Sequence, residues 1–336
     1  LASALHALTE RLACPLLADP LSGLRCNGSV RPLARYDAFL RHPQAAGALA
    51  PDWVLRIGAP PVSKALLEFL DRQPEARHLL LAPGGDWPDP LQRSQVLSAD
   101  PARVCAALGG LDQAPAPAGW LTRRLALEKL AADACPPLAP DQPVSEDGVI
   151  AEVLLRLPAE ALLFSGNSLP IRQLDSWCAG RPESLRILAN RGASGIDGNI
   201  STLLGLAAAG GAPVVGLLGD LTLLHDSNGL LAAPGVRAVI VVLNNGGGGI
   251  FGYLPQAGLE GFERHWLTPQ GLDLAGLAAL HRLAHARVRR QGQFGPALSA
   301  ALAAPGVSLI EVMLERAPSQ ERHQDYWRRV ADSPLP

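Results

Sequence analysis

Short apolar runs that stop at Gly, Asp or Asn alternate along this chain with stretches in which apolar residues return every three or four positions. The second half shows the runs most clearly: Ala161-Leu-Leu-Phe-Ser165, Leu185-Arg-Ile-Leu-Ala189, Pro213-Val-Val-Gly-Leu-Leu218, Ala238-Val-Ile-Val-Val-Leu243 and Val307-Ser-Leu-Ile-Glu-Val-Met313. Near-continuous apolar runs fit parallel strands covered on both faces, because a solvated face would demand alternation. In the first half, Cys14–Asp19, Trp53–Gly58 and His78–Ala82 predict three more strands, with a helix over Ser63–Arg72. Leu1, Leu5, Leu8 and Leu12 share one face of a helix over Leu1–Ala13. A doubly wound unit usually opens on a strand, so a strand is expected ahead of this helix.

The fold class expected is α/β, with two Rossmann-like parallel sheets. Residues 112–143 are rich in Ala and Pro around one amphipathic segment, Leu121–Ala132. Such a composition suits a linker. The predicted division is therefore a unit over 1–112, a linker with one helix over 113–143, and a second unit over 144–336.

Composition narrows the partners. Against 29 basic residues stand 31 acidic ones, a net charge of −2, and only 4% of the 336 residues are aromatic. With no basic block and few rings, nucleic-acid binding is excluded. No apolar run is long enough to span a bilayer, which excludes a membrane protein. The five cysteines (Cys14, Cys26, Cys105, Cys135, Cys178) are odd in number and lack any C-x-x-C. They read as reduced thiols of a cytoplasmic protein. Met313 is the only methionine and the chain opens at Leu1, so further sequence is expected upstream.

Several tempting signals carry little. Gly247-x-Gly249-x-x-Gly252 matches the dinucleotide fingerprint by letter, yet Pro255 and Gly258 break the helix that should follow. There is no P-loop and no G-x-S-x-G elbow. His281 and His285, four apart, are expected on one helix face without a third ligand, which favours packing over zinc. Arg287, Arg289 and Arg290 read as a solvated edge, and Trp87, Trp120 and Trp177 as packing residues.

The informative pair is Gly219-Asp220 with Asn244-Asn245. Asp220 ends one predicted strand and Asn245 the next, and the 25-residue step leaves room for one crossover helix. A right-handed β-α-β unit puts both strand ends on one edge of a sheet, so a carboxylate and an amide oxygen converge. Hard oxygen ligands beside the Gly246–Gly249 turn suit Mg²⁺ and a diphosphate. The plainer alternative, Asp220 capping a helix and Asn245 making a turn, stays open at this point. Gly166-Asn167-Ser168 follows another strand and opens a helix, a natural anion site. Arg191 to Gly198 follows a fourth, with three glycines around Ile196, which implies a tight loop presenting one apolar side chain.

These residues resemble the metal–diphosphate motif of the thiamine diphosphate enzymes. Within them, Phe164-Ser-Gly-Asn-Ser-Leu169, Asn190-Arg-Gly-Ala-Ser-Gly-Ile-Asp-Gly198 and Ile250-Phe-Gly-Tyr-Leu-Pro255 resemble the 2-succinyl-5-enolpyruvyl-6-hydroxy-3-cyclohexene-1-carboxylate synthases of menaquinone biosynthesis. The likeness is close over about 160–256 and looser elsewhere. It implies that Asp220, Asn245 and the Gly247 carbonyl ligate Mg²⁺ or Mn²⁺, and that Asn167, Ser168, Gly219 and Leu221 line the diphosphate. Ser194, Gly195 and Ile196 would contact the cofactor, Ile196 as the wedge that bends it. Arg172, Arg191 and Lys64 would hold substrate carboxylates, and Phe251 and Leu254 would form an apolar wall. At Lys64 the following residue is Ala65, where some relatives carry a second basic side chain.

The implied reaction is decarboxylation of 2-oxoglutarate and conjugate addition of the succinyl unit to isochorismate, in a homodimer or homotetramer. The resemblance places the activating glutamate in an N-terminal pyrimidine-binding domain. No catalytic residue is therefore expected in this chain, which is expected to be inert alone. An acetohydroxyacid synthase relative and a non-catalytic α/β binding module are the alternatives.

Overall fold

Apolar runs become strands of two parallel sheets. The computed structural model describes residues 1–28, 30–84, 88–271 and 273–335, with Ala46 described by its backbone alone. Trp87 lies outside the described residues. Among them, β1 (Trp53–Ile57), β2 (Arg77–Leu81) and β3 (Ser94–Leu97) form one sheet in that order. The other sheet contains β4 (Ala161–Ser165), β5 (Leu185–Ala189), β6 (Val214–Gly219), β7 (Ala238–Asn244), β8 (Ala284–Val288) and β9 (Val307–Met313). Its order is β5-β4-β6-β7-β9-β8. Packing divides the chain into Leu1–Cys135 with Asp325–Pro336, and Pro136–Gln324. The α/β fold with two parallel sheets is as expected.

The helices of the first unit are α1 (Ala2–Leu12), α2 (Tyr36–Phe39), α3 (Ala45–Ala48), α4 (Lys64–Asp71), α5 (Pro101–Gly110) and α6 (Trp120–Asp133). Leu5 and Leu8 of α1 are buried with Cys105 of α5 against Leu55, Ile57 and Leu108. This explains the leucine spacing at the start of the chain. Helix α4 begins where the Ser63 hydroxyl accepts the Leu66 N–H at 3.1 Å.

One expectation fails in this unit, and one strand goes unpredicted. Cys14–Asp19 makes only a single bridge, Leu17 to Leu33, because Pro15 lacks a ladder donor. Asp19 turns aside to accept the N–H groups of Leu21 and Val62. Strand β3 was not foreseen, since Ser94-Gln-Val-Leu97 is a half-exposed edge with no apolar run. Within the stretch read as a linker, α6 buries Leu127 and Ala131. Glu128 ties it down by accepting the N–H groups of Ala34 and Arg35 and pairing with the Arg35 guanidinium at 3.1 Å. Trp120 packs as expected, with the Arg124 guanidinium 3.1 Å from its ring centre. Burial lowers the Arg124 pKa to about 9.

The second unit adds α7 (Glu146–Arg156), α8 (Leu169–Trp177), α9 (Asn199–Ala208), α10 (Asp220–His225), α11 (Leu274–Leu280), α12 (Gln291–Ala303) and α13 (Arg316–Asp332); the last runs across the division. Strand β4 is buried throughout, and β6, β7 and β9 are buried except at their final residues. One face packs Leu162, Phe164, Leu218, Ile240 and Leu309 against Leu203 and Leu204 of α9 and Leu274 of α11. Each such side chain contributes roughly 1.5–3 kcal/mol. From β4 the chain moves to β5 on one side and returns to β6 on the other. Connections diverge at that switch and open a crevice at the carboxyl ends of the strands.

His281 and His285 do not share a helix face. His281 caps α11, while His285 lies in β8, 3.2 Å from Glu311 Oε2. Strand β8 is not predicted because, at an edge of the sheet, His285 and Arg287 interrupt its apolar run. Trp177 packs on the His323 ring at 4.9 Å. All five cysteines are free thiols, and no helix among the described residues is long and apolar enough to cross a membrane.

Glu146, at the start of α7, is 5% exposed, and Ser319 Oγ lies 2.6 Å from both its carboxylate oxygens. Burial raises its pKa. A carboxyl raised on folding contributes its full stability below the unfolded value of about 4.3 and loses it as pH rises through the folded value. Glu146→Gln keeps a partner for Ser319 and removes the charge. We expect it to raise the Tm at pH 8 by a few degrees, at roughly 2–4 °C per kcal/mol, with the gain vanishing at pH 4. A lower Tm at pH 8 would contradict the burial cost.

Candidate functional site

Strands β5, β4, β6 and β7 are consecutive neighbours, so their four carboxyl ends line one stretch of sheet edge. From them emerge Asn190–Gly198, Gly166–Ser168, Gly219–Leu221 and Asn245–Gly249. Asp220 opens α10 with 4% of its surface exposed. Burial pushes its pKa up to about 6, outweighing the nearby backbone N–H groups of Leu221, Gly247, Asp220 itself and Gly246, which favour the charged form. A carboxylate so placed is short of a counter-cation.

On the neighbouring strand end, the amide oxygen of Asn245 is buried with no hydrogen-bond partner. The side chain that makes the turn bond is Asn244, whose Oδ1 accepts the Gly246 N–H at 3.3 Å. Gly247 has φ 137°, and a Cβ there would collide with the Leu267 carbonyl oxygen. A Cβ on Gly249 would lie 2.5 Å from Asn245 Nδ2. The turn therefore admits only glycine at Gly247, and a side chain at Gly249 would have to push the Asn245 amide aside. Among the described residues no group of three His, Cys, Asp or Glu side chains converges. An acidic oxygen, an unpartnered amide oxygen and a glycine carbonyl form a donor set that fits a hard cation such as Mg²⁺. Capping alone accounts neither for the buried charge of Asp220 nor for the orphan oxygen of Asn245.

Asn167, 1% exposed, fastens two of the loops together. Its Nδ2 donates to the carbonyls of Asn190 at 2.9 Å and Gly195 at 2.7 Å. Its Oδ1 accepts from Arg191 Nη1 at 2.8 Å. Ser168 has a left-handed φ of 69°, a strained value for a residue with a side chain. The Ser168 carbonyl accepts from Arg172 Nη1 at 2.7 Å. Partial desolvation, and then the like charge of Arg191, hold the Arg172 guanidinium below its usual pKa. Two cations thus stand together beside the β4 loop.

Ile196 is partly buried and Ser194 exposed. Phe251 sits edge-on to Trp266, 5.4 Å between ring centres, and Leu254 is 38% exposed. Lys64 belongs to the first unit, where it pairs with Glu68 at 3.1 Å. Sequence reasoning overlooked Asn199, fully buried, which donates to the Asp197 carbonyl at 2.9 Å. Its position at the mouth of α9, directly after the glycine-rich loop, was the available signal.

Two family models match this chain: the "Middle domain of thiamine pyrophosphate" over residues 2–165, and the "Thiamine pyrophosphate enzyme, C-terminal TPP binding domain" over 177–312. The chain belongs to the thiamine pyrophosphate enzymes. Similar curated proteins come from Chloroflexus aurantiacus (41% identity over 98% of this chain and 58% of that one) and Geobacillus thermodenitrificans (39%, 98% and 57%). A third comes from Halobacterium salinarum (39%, 97% and 55%). All three are named 2-succinyl-5-enolpyruvyl-6-hydroxy-3-cyclohexene-1-carboxylate synthase. The chain spans just over half the length of these curated relatives. A solved structure from Mycobacterium smegmatis, assigned to the thiamin diphosphate-dependent enzymes, matches with a TM-score of 0.60 at 19% identity. It covers 94% of this chain and 59% of that one, and speaks to the fold of this thiamine pyrophosphate enzyme.

Replacing Asp220 with Ala removes the one anionic oxygen of the donor set, and Gly247→Ala breaks the turn. Each is expected to weaken binding of thiamine diphosphate with Mg²⁺ tenfold or more, about 1.4 kcal/mol, by calorimetric titration. Wild-type affinity in Asp220→Ala would remove that residue from the site.

Proposed function

We propose that this chain carries the diphosphate-binding part of a 2-succinyl-5-enolpyruvyl-6-hydroxy-3-cyclohexene-1-carboxylate synthase. The reaction is decarboxylation of 2-oxoglutarate and addition of the succinyl unit to isochorismate, in menaquinone biosynthesis. The observation that carries this reading is the Arg172–Arg191 pair at the β4 loop. Neither guanidinium shows an acidic partner among the described residues, and the Arg172 N–H groups reach only the Ser168 carbonyl. Both substrates are carboxylates, and the planar guanidinium fork suits them. The names of the relatives support the same choice.

When bound, thiamine diphosphate supplies the electron sink that decarboxylation of a 2-oxo acid requires. The chain's own residues do the rest. Asp220 and Asn245 side chains and the Gly247 carbonyl hold Mg²⁺ or Mn²⁺. Asn167, Ser168, Gly219 and Leu221 form the diphosphate cradle, with Asn167 bracing Arg191 from behind. Ser194, Gly195 and Ile196 face the cofactor body, Ile196 as its apolar support. Arg172 and Arg191 bind and orient substrate carboxylates. Phe251 and Leu254 form a wall that limits water. The group activating the cofactor comes from a pyrimidine-binding domain, so this chain by itself turns over no substrate. The complete enzyme is a cytoplasmic homodimer or homotetramer.

The test is product formation from 2-oxoglutarate and isochorismate with thiamine diphosphate and Mg²⁺, by the chain alone and with the N-terminal part of a curated relative added. Activity is expected only in the mixture; turnover of pyruvate instead would assign the chain to the acetohydroxyacid synthase type. In the active mixture, Arg172→Ala should raise the KM for a carboxylate substrate about 10- to 100-fold, the cost of an unpaired charge in a partly desolvated pocket. Cofactor affinity should stay within about twofold. A collapse of cofactor affinity would make Arg172 a diphosphate ligand.

A further inference from the structure

Behind the glycine turn lies a buried acid that the proposed reaction does not use. Glu311, in the middle of β9, is 1% exposed. Its Oε2 accepts from Arg287 Nε at 2.7 Å and lies 3.2 Å from His285 Nε2, both on β8. Its Oε1 accepts from Asn244 Nδ2 at 2.9 Å. Asn244 is the last residue of β7, and its Oδ1 takes the Gly246 N–H. A chain of hydrogen bonds thus crosses β8, β9 and β7 and ends on the turn between Asn245 and Gly247.

The chemistry of the groups gives this chain a direction. An Asn amide can present either end to a neighbour, and its two ends are nearly equal in shape. A carboxylate accepts only. Glu311 therefore compels Asn244 to point Nδ2 inward, which leaves Oδ1 for the Gly246 N–H. The reverse orientation would set an NH₂ against an N–H and open the turn. Arg287 and His285 in turn hold the carboxylate in place, so that a buried charge is not left unpaired.

We infer that Glu311 and Asn244 are positioning residues for the cation site: Glu311 fixes the orientation of the Asn244 amide, and Asn244 fixes the turn that presents Asn245 and the Gly247 carbonyl. The inference rests on the metal–diphosphate reading above.

The network predicts an unusual pattern of substitutions. In Glu311→Gln the new side chain must offer its oxygen to Arg287, which turns its NH₂ toward Asn244 and flips that amide. Removing the cation as well, in Glu311→Gln/Arg287→Ala, frees the glutamine to turn its oxygen back to Asn244 and its NH₂ to His285. Titration of the full chain with Mn²⁺, followed by electron paramagnetic resonance, and with thiamine diphosphate plus Mg²⁺, followed by calorimetry, should show three things. Glu311→Gln and Asn244→Ala each weaken binding about tenfold; Arg287→Ala lowers the Tm with affinity unchanged; the double variant regains most of the affinity lost in Glu311→Gln. A purely structural acid would give no such recovery. If Asp220→Ala abolishes binding while Glu311→Gln and Asn244→Ala bind as wild type, the positioning role is overturned and the metal site stands. If Glu311→Gln does not fold, Asn244→Ala alone decides, and wild-type affinity there overturns the role. Failure of the wild-type chain to bind Mn²⁺ overturns both.

Discussion

The buried carboxylate of Asp220 is the constraint around which the second unit is arranged. The backbone N–H groups of Leu221, Gly247, Asp220 itself and Gly246 favour its charged form, and burial still raises its pKa to about 6. The fold therefore maintains an anion where an anion is costly, at the carboxyl end of a central strand. Strand order puts Asn245 beside it, a turn that accepts only glycine at Gly247 supplies bare backbone, and the orphan oxygen of Asn245 faces no protein donor. Each of these features costs stability when no ligand is bound. Together they make sense as a site organised in advance for a cation and the phosphates it carries, the exchange of stability for function seen at many binding sites.

Much of this arrangement is written in the sequence, and the unread parts have physical causes. Central strands buried on both faces appear as unbroken apolar runs, which is why the bounds of β4 and β9 agree with the reading to the residue; the edge strand β5 agrees too because its Leu-Arg-Ile-Leu-Ala run is still mostly apolar. Edge strands β3 and β8 place polar residues outward and vanish into the background. Cys14–Asp19 shows the opposite error, an apolar run that Pro15 and Asp19 keep out of the ladder. The spacing of Asp220 and Asn245 is legible because a single crossover separates them. Hydrogen bonds that join distant strands leave no such mark. Asn244 and Glu311 are 67 residues apart, and only the β7–β9 pairing brings them together.

Charge on the site surface complements charge within it. The buried anion at β6 asks for a cation, while Arg172 and Arg191 at β4 and β5 offer cations to anions. Asn167 couples the β4 loop to the β5 loop on the cationic side, since one amide group holds the Asn190 and Gly195 carbonyls and the Arg191 guanidinium at once. A crevice graded in this way from one sign to the other suits a bound metal diphosphate flanked by carboxylate substrates.

The most direct measurement is a crystal structure of the chain grown with Mn²⁺ and thiamine diphosphate, with diffraction data collected on both sides of the manganese absorption edge. An anomalous peak bonded to Asp220, the Asn245 amide oxygen and the Gly247 carbonyl, with diphosphate oxygens completing the shell, is the result expected. A diphosphate bound with no manganese at those three atoms, or manganese held elsewhere on the chain, would contradict the account.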